Sequence, residues 1–561
     1  EFKKLYRNFL ELFFVILNER RLIVKQPGLE HYESGISYHL DYPDLTLPAV
    51  LHQTAEKYPQ HTSMVYQNAS WSYTQLNDLV SQMANFLIGR GIQPGDRVGI
   101  QLPNSPQFII AYYGTLRAGA IAVPINPQFK GDDLTFLVDD SALKAVVTCV
   151  EILPVYKDIA SKAQVIVTDI KTPFSPSQEY TPSLPEAIRL EQHLFSCSTS
   201  DPQAPITSRS IATLQYTGGT TGRSKGAVLT HFNLLANVIQ FREWFKNVFQ
   251  DGDGRFVAVI PLFHIYGLTT SMNVPVYTGS SMLLMPKFDL NELMALIDKH
   301  RPNLFMGVPA MYGAIAAREN HNYDLSSIEA CVSGSAPLPP AIQDKFQKLT
   351  GGKLVEGYGL SEASPIVAVN PIYGTVKTGS IGLPFPDTEV RIVDPQTGEI
   401  ITAPERIGEL VVKGPQVMQG YWQKPDETAL VLKDGWLHTG DLVKRDADGY
   451  LYIADRLKDM IIMGGEKIYP REIEDLLYTH PAVKEVAVIG VPHELRGEVP
   501  QAFVVLKEGA VVTEKELKQF CSQHLSKFKV PHKVSIVDAL PRSSVGKVLR
   551  RLLKEQFEKA I

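Results

Sequence analysis

Short β-rich runs set the strongest limit on how this chain can fold. "RVGIQL" (97–102), "AIAVPI" (120–125), "AVVTCV" (145–150) and "AQVIVTD" (163–169) are separated by amphipathic stretches. Strands that alternate with amphipathic helices pack as α/β layers around largely parallel sheets. At 561 residues the chain is long enough for several cores, about three or four domain-sized units. From about residue 380 the texture changes. "EVRIVDPQTGEI", "IGELVVKG" and "GYLYIADR" read as short antiparallel strands joined by turns, as in a small β-barrel. After "DRLKD" a compact α+β unit resumes: a helix from "PREIEDLLYTH", strands "VKEVAVIGV" and "QAFVVLK", and helices at 513–525 and 547–558. The expected organisation is an N-terminal extension (1–29), a large unit (30–455) of layered α/β subdomains plus the small barrel, and a small C-terminal unit (456–561). The linker falls at 455–458. The Pro- and Ser-rich "KTPFSPSQEYTPSLPEA" (171–187) reads as a surface excursion, and no internal repeat is evident.

Charge and cysteine content narrow the function classes. The net charge is −5, which gives no footprint for nucleic acid, and 44% apolar residues is ordinary for a globular protein. The charge is uneven, because residues 456–561 carry 18 Lys and Arg against 14 Asp and Glu. That balance suits a lid over phosphates or an ordinary solvated surface. Cys149, Cys197, Cys331 and Cys521 lie far apart with no CxxC pair, so neither a disulfide framework nor a zinc site is implied. A reducing cytoplasm is the natural compartment. In "EFKKLYRNFLELFFVILNERR" the apolar stretch is too short to span a bilayer, and no small-residue cleavage site follows. Its basic flanks and a face of Phe9, Leu12, Phe13 and Ile16 suit either a peripheral membrane contact through residues 1–28 or a helix docked on the protein itself.

"QYTGGTTGRSKGAVLTH" (215–231) packs four glycines, four threonines, a serine, an arginine and a lysine between two apolar runs. Small residues expose backbone N–H groups, hydroxyls add donors and cations offset charge, which is the composition of a phosphate cradle. The spacing is not that of a nucleotide triphosphatase loop. That motif requires Gly-Lys-Ser/Thr, whereas here Gly222 precedes Arg223 and Lys225 precedes Gly226.

Further segments accompany the loop. "PLFHIYG" (261–267) sets His264 among apolar and aromatic residues, a setting that equally suits a packed core histidine. "VSGSAPLP" (332–339) and "VEGYGLSEASP" (355–365) place glycines after apolar runs, as where a backbone lies against a flat ring. Tyr358 could stack on such a ring, and Glu362 is a carboxylate available to Mg²⁺. "GWLHTGDL" (435–442) presents Asp441 after a glycine, suited to gripping a sugar diol. "DRLKDMIIMGGEKIYP" (455–470) carries Arg456 and the pair Gly464 and Gly465, and "LPRSSVGKVLRR" (540–551) lifts Lys547 off a Ser/Gly loop. Each of these alone has a structural explanation.

Together and in this order, from about residue 45 to 555, they resemble the acyl-adenylate-forming superfamily of acyl-CoA synthetases, aryl-CoA ligases, luciferases and peptide-synthetase adenylation domains. YTGGTTGRSKG, GYGLSE, WLHTGDL, DRLKD and PRSSVGK carry the resemblance. It implies an acid–thiol ligase that joins a carboxylate to AMP with release of pyrophosphate, then passes the acyl group to CoA. The co-substrates are ATP and CoA, and the cofactor is Mg²⁺. Segment 31–59 looks like the beginning of bacterial medium- and long-chain fatty-acid–CoA ligases. An aryl-CoA ligase, a ligase for a carrier-protein thiol and a non-catalytic nucleotide-binding protein are the alternatives.

The resemblance also implies roles. Thr217, Gly218, Gly219, Thr220, Thr221, Gly222 and Lys225 would cradle the phosphates, with Thr217 and Glu362 near Mg²⁺. Gly334, Ser335, Ala336, Glu356, Gly357, Tyr358 and Gly359 would form the adenine slot, with Ser361 beside it. Asp441 and Arg456 would hold the ribose. Lys547 would reach the substrate carboxylate and the α-phosphate. His264, Gly307, Tyr312 and Gly334 would border the acyl site, the glycines leaving room for the tail. Lys458 stands at the family's hinge, and Gly464, Gly465 and Glu466 would line the pantetheine channel. Gly219 and Ser224 stand where the family often has Ser and Pro, and Ser361 where Thr is common. These changes keep small size or a hydroxyl. Oligomeric state is not readable, a homodimer being one option.

Overall fold

The four β-rich runs become the strands Arg97–Gln101, Ile121–Pro124, Ala145–Cys149 and Gln164–Thr168, mutually parallel in a seven-stranded sheet. The structure, a computed structural model, describes residues 27–171, 182–217, 224–318, 322–464, 466–493, 495–542 and 548–558. The N-terminal face of Phe9, Leu12, Phe13 and Ile16 and much of the Pro/Ser excursion lie outside the described residues. The seven-stranded sheet ends in an antiparallel hairpin, Ile211–Thr217 with Lys225–Thr230.

A second sheet has nine strands. Its parallel centre runs Lys353–Gly359, Ala330–Ser333, Leu304–Gly307, Arg255–Ala258, Ser281–Leu284 and Thr62–Tyr66. Antiparallel strands close its two ends.

Helix Pro106–Arg117 joins the sheets. Ser105 starts it by accepting the Phe108 N–H, proline stands in its first turn, and all twelve of its residues are buried. The amphipathic stretch expected between the strands Arg97–Gln101 and Ile121–Pro124 is instead buried on every side, because both sheets pack against it. Its polar groups reach both neighbours. Tyr112 Oη lies 2.9 Å from Thr213 Oγ1 in the seven-stranded sheet. Tyr113 Oη donates to Asn273 Oδ1 at 2.9 Å, in the helical segment beside the nine-stranded sheet. Just ahead of the helix, Asn104 donates to the carbonyls of Ala258 and Ile260 and accepts the N–H of Leu262 at 2.7 Å. The helix ends at Arg117, whose side chain is 1% exposed. That guanidinium donates to Asn77 O, Asn77 Oδ1, Ser81 Oγ and Pro48 O, and Asp201 lies 3.6 Å from Nε. Burial lowers its pKa, and Asp201 and Asp78 oppose that shift.

The strands expected as a small barrel form an open five-stranded antiparallel sheet instead. Trp436–Arg445 is at its centre, flanked by Gly408–Lys413, Leu432–Lys433 and Leu451–Arg456, with Glu389–Val393 outermost. Among the described residues the ladder does not close into a ring, for a physical reason. The outer edge of Leu451–Arg456 already pairs with 381–382, through Ile381 N–H to Leu451 O and Leu451 N–H to Gly382 O. That pairing ties the small sheet to the nine-stranded one.

Past residue 460 a second five-stranded sheet runs Glu466–Ile468, Ile461–Met463, Gly497–Leu506 and Val483–His493, with Lys533–Ile536 beside Gly497–Leu506. Helices Pro470–Tyr478, Glu514–His524 and Arg550–Glu558 accompany it, near the expected positions, and its apolar side chains form their own core. The fold is therefore a large N-terminal α/β part followed by a small C-terminal one.

Arg117→Met removes the fork of hydrogen bonds and leaves Asn77, Ser81 and Asp201 facing an apolar side chain. The expected loss of stability is about 3 kcal/mol, read as a lower denaturation midpoint. Arg117→Lys, which keeps the charge and loses the planar fork, should recover only part of it.

Candidate active site

The candidate residues gather where the parallel strands end, the usual ligand crevice of open α/β sheets. Thr217 closes one strand of the hairpin and pairs in register with Lys225 on the other. Gly307 closes Leu304–Gly307, Gly334 follows Ala330–Ser333, and Glu356, Gly357, Tyr358 and Gly359 end Lys353–Gly359. Ser361 and Glu362 lie in the short turn that follows. Gly218, Gly219, Thr220, Thr221, Gly222, Gly465 and Lys547 lie outside the described residues.

Segment 418–422 runs antiparallel to Lys225–Thr230, through Val228 N–H to Gly420 O, Gln419 N–H to Val228 O and Trp422 N–H to Gly226 O. This lays Tyr421 between two expected site residues. Its ring is 5.2 Å from Lys225 Nζ, and its hydroxyl donates to Glu362 Oε1 at 2.8 Å. Burial and the Glu362 charge push that hydroxyl well above the ordinary tyrosine range, so it stays a donor. Lys225 is itself ion-paired with Glu427.

Asp441, 7% exposed, is held on several sides. Tyr358 Oη donates to its Oδ2 at 2.5 Å, and Arg456 Nε lies 3.3 Å from its Oδ1. Asp441 and Arg456 are partners on adjacent strands. The turn before Asp441 needs glycine, since Gly440 has φ +69°. Glu409 fixes this turn by accepting the Gly440 N–H at 3.0 Å while its other oxygen lies 2.9 Å from His438 Nδ1. Tyr358, expected to stack on a ring, thus also orients the carboxylate expected to grip the sugar.

Glu356 is nearly buried beside the same strand end. Burial raises its carboxyl to about 7, against the pull of Arg471 and of the Leu338 N–H. Arg471 lies on the C-terminal side, at the start of helix Pro470–Tyr478. Its backbone N–H donates to Asp455 Oδ2 at 2.8 Å, and burial raises Asp455 to about 6.

His264 caps the short helix Ile265–Leu268, with Nδ1 accepting the Tyr266 N–H at 3.2 Å. Gln215, two residues before Thr217, donates to Phe263 O at 3.1 Å and so links the hairpin to His264's segment. At the two glycines of the expected acyl site the structure shows which side chains lie against them. Glycine at 307 was expected to leave room for the acyl tail. A Cβ there would stand 2.7 Å from Cζ of Tyr312, a core residue whose hydroxyl donates to Phe305 O and Val332 O. The space beside Gly334 likewise faces the ring of Tyr266, 3.3 Å from such a Cβ. Two tyrosines take up the room that two glycines provide.

Sequence reading missed Tyr421, Glu427, Glu409, Arg471 and Asn104. Glu409 had a signal, a lone acid beside the apolar run Leu410–Val412. The others reach the site only through long-range pairing. Among the described residues no group of three or more His, Cys, Asp or Glu is arranged to hold a metal. The hard oxygens of Thr217 and Glu362 suit a cation shared with a polyphosphate.

Gly307→Ala is expected to cost about 1–3 kcal/mol, because the buried Tyr312 cannot withdraw without losing both hydrogen bonds. A drop in thermal midpoint checks it. A variant as stable as wild type would show that the Tyr312 ring yields freely.

A family model described as AMP-binding enzyme matches residues 51–422, and one described as AMP-binding enzyme C-terminal domain matches 472–547. A long-chain-fatty-acid–CoA ligase of Bacillus subtilis (strain 168) is 43% identical over 554 residues, covering 95% of this chain and 99% of that protein. Another, from Salmonella typhimurium, is 36% identical over 560 residues, covering 95% and 98%. Among solved structures, ATP-bound MatB from Rhodopseudomonas palustris superposes with a TM-score of 0.82 at 31% identity, covering 92% of this chain and all of that one. Matches that span both the large and the small part leave one conclusion: the chain belongs to the AMP-binding enzyme family.

Proposed function

We propose that this protein is an ATP-dependent acid–thiol ligase that converts a medium- or long-chain fatty acid to its CoA thioester through an acyl-adenylate. The observation that carries the reading is the match to long-chain-fatty-acid–CoA ligases over almost the whole of both chains. The convergence of Asp441, Tyr358 and Arg456 at the strand ends supports it. In the first step a carboxylate oxygen attacks the α-phosphorus of ATP, and the bond to pyrophosphate breaks. In the second, the sulfur of CoA attacks the acyl carbon, AMP leaves with the bonding pair, and the thiol proton passes to solvent.

The chain's residues take roles that follow from their chemistry. Thr217, Lys225 and the glycines between them receive the β- and γ-phosphates, and Lys225 exchanges Glu427 for phosphate as ATP enters. Thr217 and Glu362 hold Mg²⁺, which when bound neutralises phosphate charge. Asp441, oriented by Tyr358 and Arg456, accepts from the ribose hydroxyls. Lys547 neutralises the carboxylate and α-phosphate oxygens, which otherwise repel each other. The working units are 30–455, which binds nucleotide and acid, and 456–561, a lid turning at Lys458 to bring Lys547 and then Gly464, Gly465 and Glu466 to the crevice. Residues 1–29 form an extension, and a peripheral membrane contact through Phe9, Leu12, Phe13 and Ile16 belongs to this proposal.

A panel of acids tests the reading. Pyrophosphate release should depend on a fatty acid, and AMP should appear stoichiometrically with acyl-CoA only when CoA is present. Each buried methylene gains about 0.8 kcal/mol, roughly fourfold in affinity, so kcat/KM should climb from butyrate through medium chains and then level off. A preference for benzoate or coumarate would replace the fatty-acyl assignment with an aryl one. Turnover with a carrier-protein thiol in place of CoA would change the acceptor.

Lys547→Ala should abolish acyl-adenylate formation and leave acyl transfer from ready-made acyl-adenylate to CoA largely intact. Equal loss in both steps would refute this division of labour.

A further inference from the structure

Glu362 is held twice by a segment far along the chain. Met418 N–H donates to its backbone carbonyl at 2.8 Å, and Tyr421 Oη donates to its Oε1 at 2.8 Å. The first bond fixes the backbone and the second fixes the carboxylate. An ionised carboxylate accepts at both oxygens, so a donor on Oε1 leaves Oε2 for another partner. Among the described residues no lysine or arginine forms an ion pair with Glu362. Lys225 lies across the Tyr421 ring, its Nζ 5.2 Å from the ring centre, and is ion-paired with Glu427 instead.

The position of Tyr421 is fixed from both sides. It bridges Ala227 of the strand Lys225–Thr230, where Val228 N–H donates to Gly420 O and Trp422 N–H to Gly226 O. Its own N–H donates to Thr428 Oγ1 at 2.9 Å, and that hydroxyl donates to Lys424 O at 2.8 Å. Lys424 Nζ donates to Asp140 Oδ1 at 2.7 Å. The other oxygen of Asp140 accepts from the hydroxyl of Tyr216, the neighbour of Thr217, at 2.7 Å. Segment 418–428 is therefore anchored to the hairpin of Thr217 and Lys225, and the Tyr421 hydroxyl relays that anchor to the Glu362 carboxylate. Glutamate loses much rotamer freedom when a ligand fixes it. A hydrogen bond already in place removes that cost from the binding step.

We propose that Tyr421 is a positioning residue for the adenylation half-reaction, orienting Glu362 so that its second oxygen meets the divalent cation that accompanies ATP. This rests on the ligase reading above and on the place of Glu362 in it. The role is confined to the first half-reaction, because the β- and γ-phosphates have left as pyrophosphate before CoA attacks.

Tyr421→Phe keeps the ring beside Lys225 and removes only the hydroxyl. It is compared with wild type, both as full-length enzymes, in three measurements. Calorimetry gives the ATP dissociation constant with and without Mg²⁺. Metal-free binding should be unchanged, and the tightening brought by Mg²⁺ should shrink about tenfold, as when a ligand carboxylate loses its supporting donor. The Mg²⁺ concentration at half-maximal fatty-acid-dependent ATP–pyrophosphate exchange should rise about tenfold for the same reason. Conversion of purified acyl-adenylate and CoA to acyl-CoA should stay within about twofold, since the partner of Tyr421 acts in the other step. In a Glu362→Gln background, Tyr421→Phe should alter the Mg²⁺ response no further, because the two side chains share one role. Equal losses in both half-reactions, an unshifted Mg²⁺ response, or a full additional loss in the Glu362→Gln background would overturn the proposal. Wild-type enzyme that shows no acid-dependent exchange would overturn the ligase reading instead.

Discussion

Helix Pro106–Arg117 has no face toward water, and the crevice depends on that burial. With Phe108, Ile109, Ile110 and Leu116 fully enclosed, each apolar side chain contributes about 1.5–3 kcal/mol. Its two buried tyrosine hydroxyls find partners on opposite sides, Tyr112 on Thr213 and Tyr113 on Asn273. A buried polar group without a partner costs as much as a buried methyl cluster returns. The pairing is therefore a condition of the fold as well as a decoration of it. Through Asn104 the same element fixes the path of 258–262, which leads directly into His264. One enclosed helix thus holds the hairpin of Thr217 and Lys225 in fixed relation to the strand ends of the nine-stranded sheet.

Charge in the crevice is arranged by opposition between burial and neighbours. Burial dominates at Glu356 and Asp455, whose carboxyls rise to about 7 and about 6 despite nearby guanidinium groups. At Asp441 the carboxylate is instead held by the phenol of Tyr358 and the guanidinium of Arg456. These are different environments for the same chemical group. Lys225 shows a third pattern, a cation kept beside a local carboxylate, Glu427.

Much of this was legible before any coordinates. The strands at 97, 121, 145 and 164 and the helices of the C-terminal part follow from local periodicity and composition, which act over a few residues. The barrel was not, because whether five short strands close depends on what their edges meet. Here the edge of Leu451–Arg456 meets 381–382. The neighbour of Gly307 was not legible either, because a glycine announces a missing side chain without saying what lies against it, and here that is Tyr312.

The sequence by itself determined the layered α/β class and the order of a large part and a small one, since each is encoded in contiguous residues and fixed spacing. Only the tertiary structure decided which residues meet: Tyr421 between Lys225 and Glu362, and Glu409 against the backbone that leads into Asp441. Those encounters join residues far apart along the chain. No local pattern encodes them, because they are set by strand pairing and by the burial of a helix that leaves each element a single place to pack.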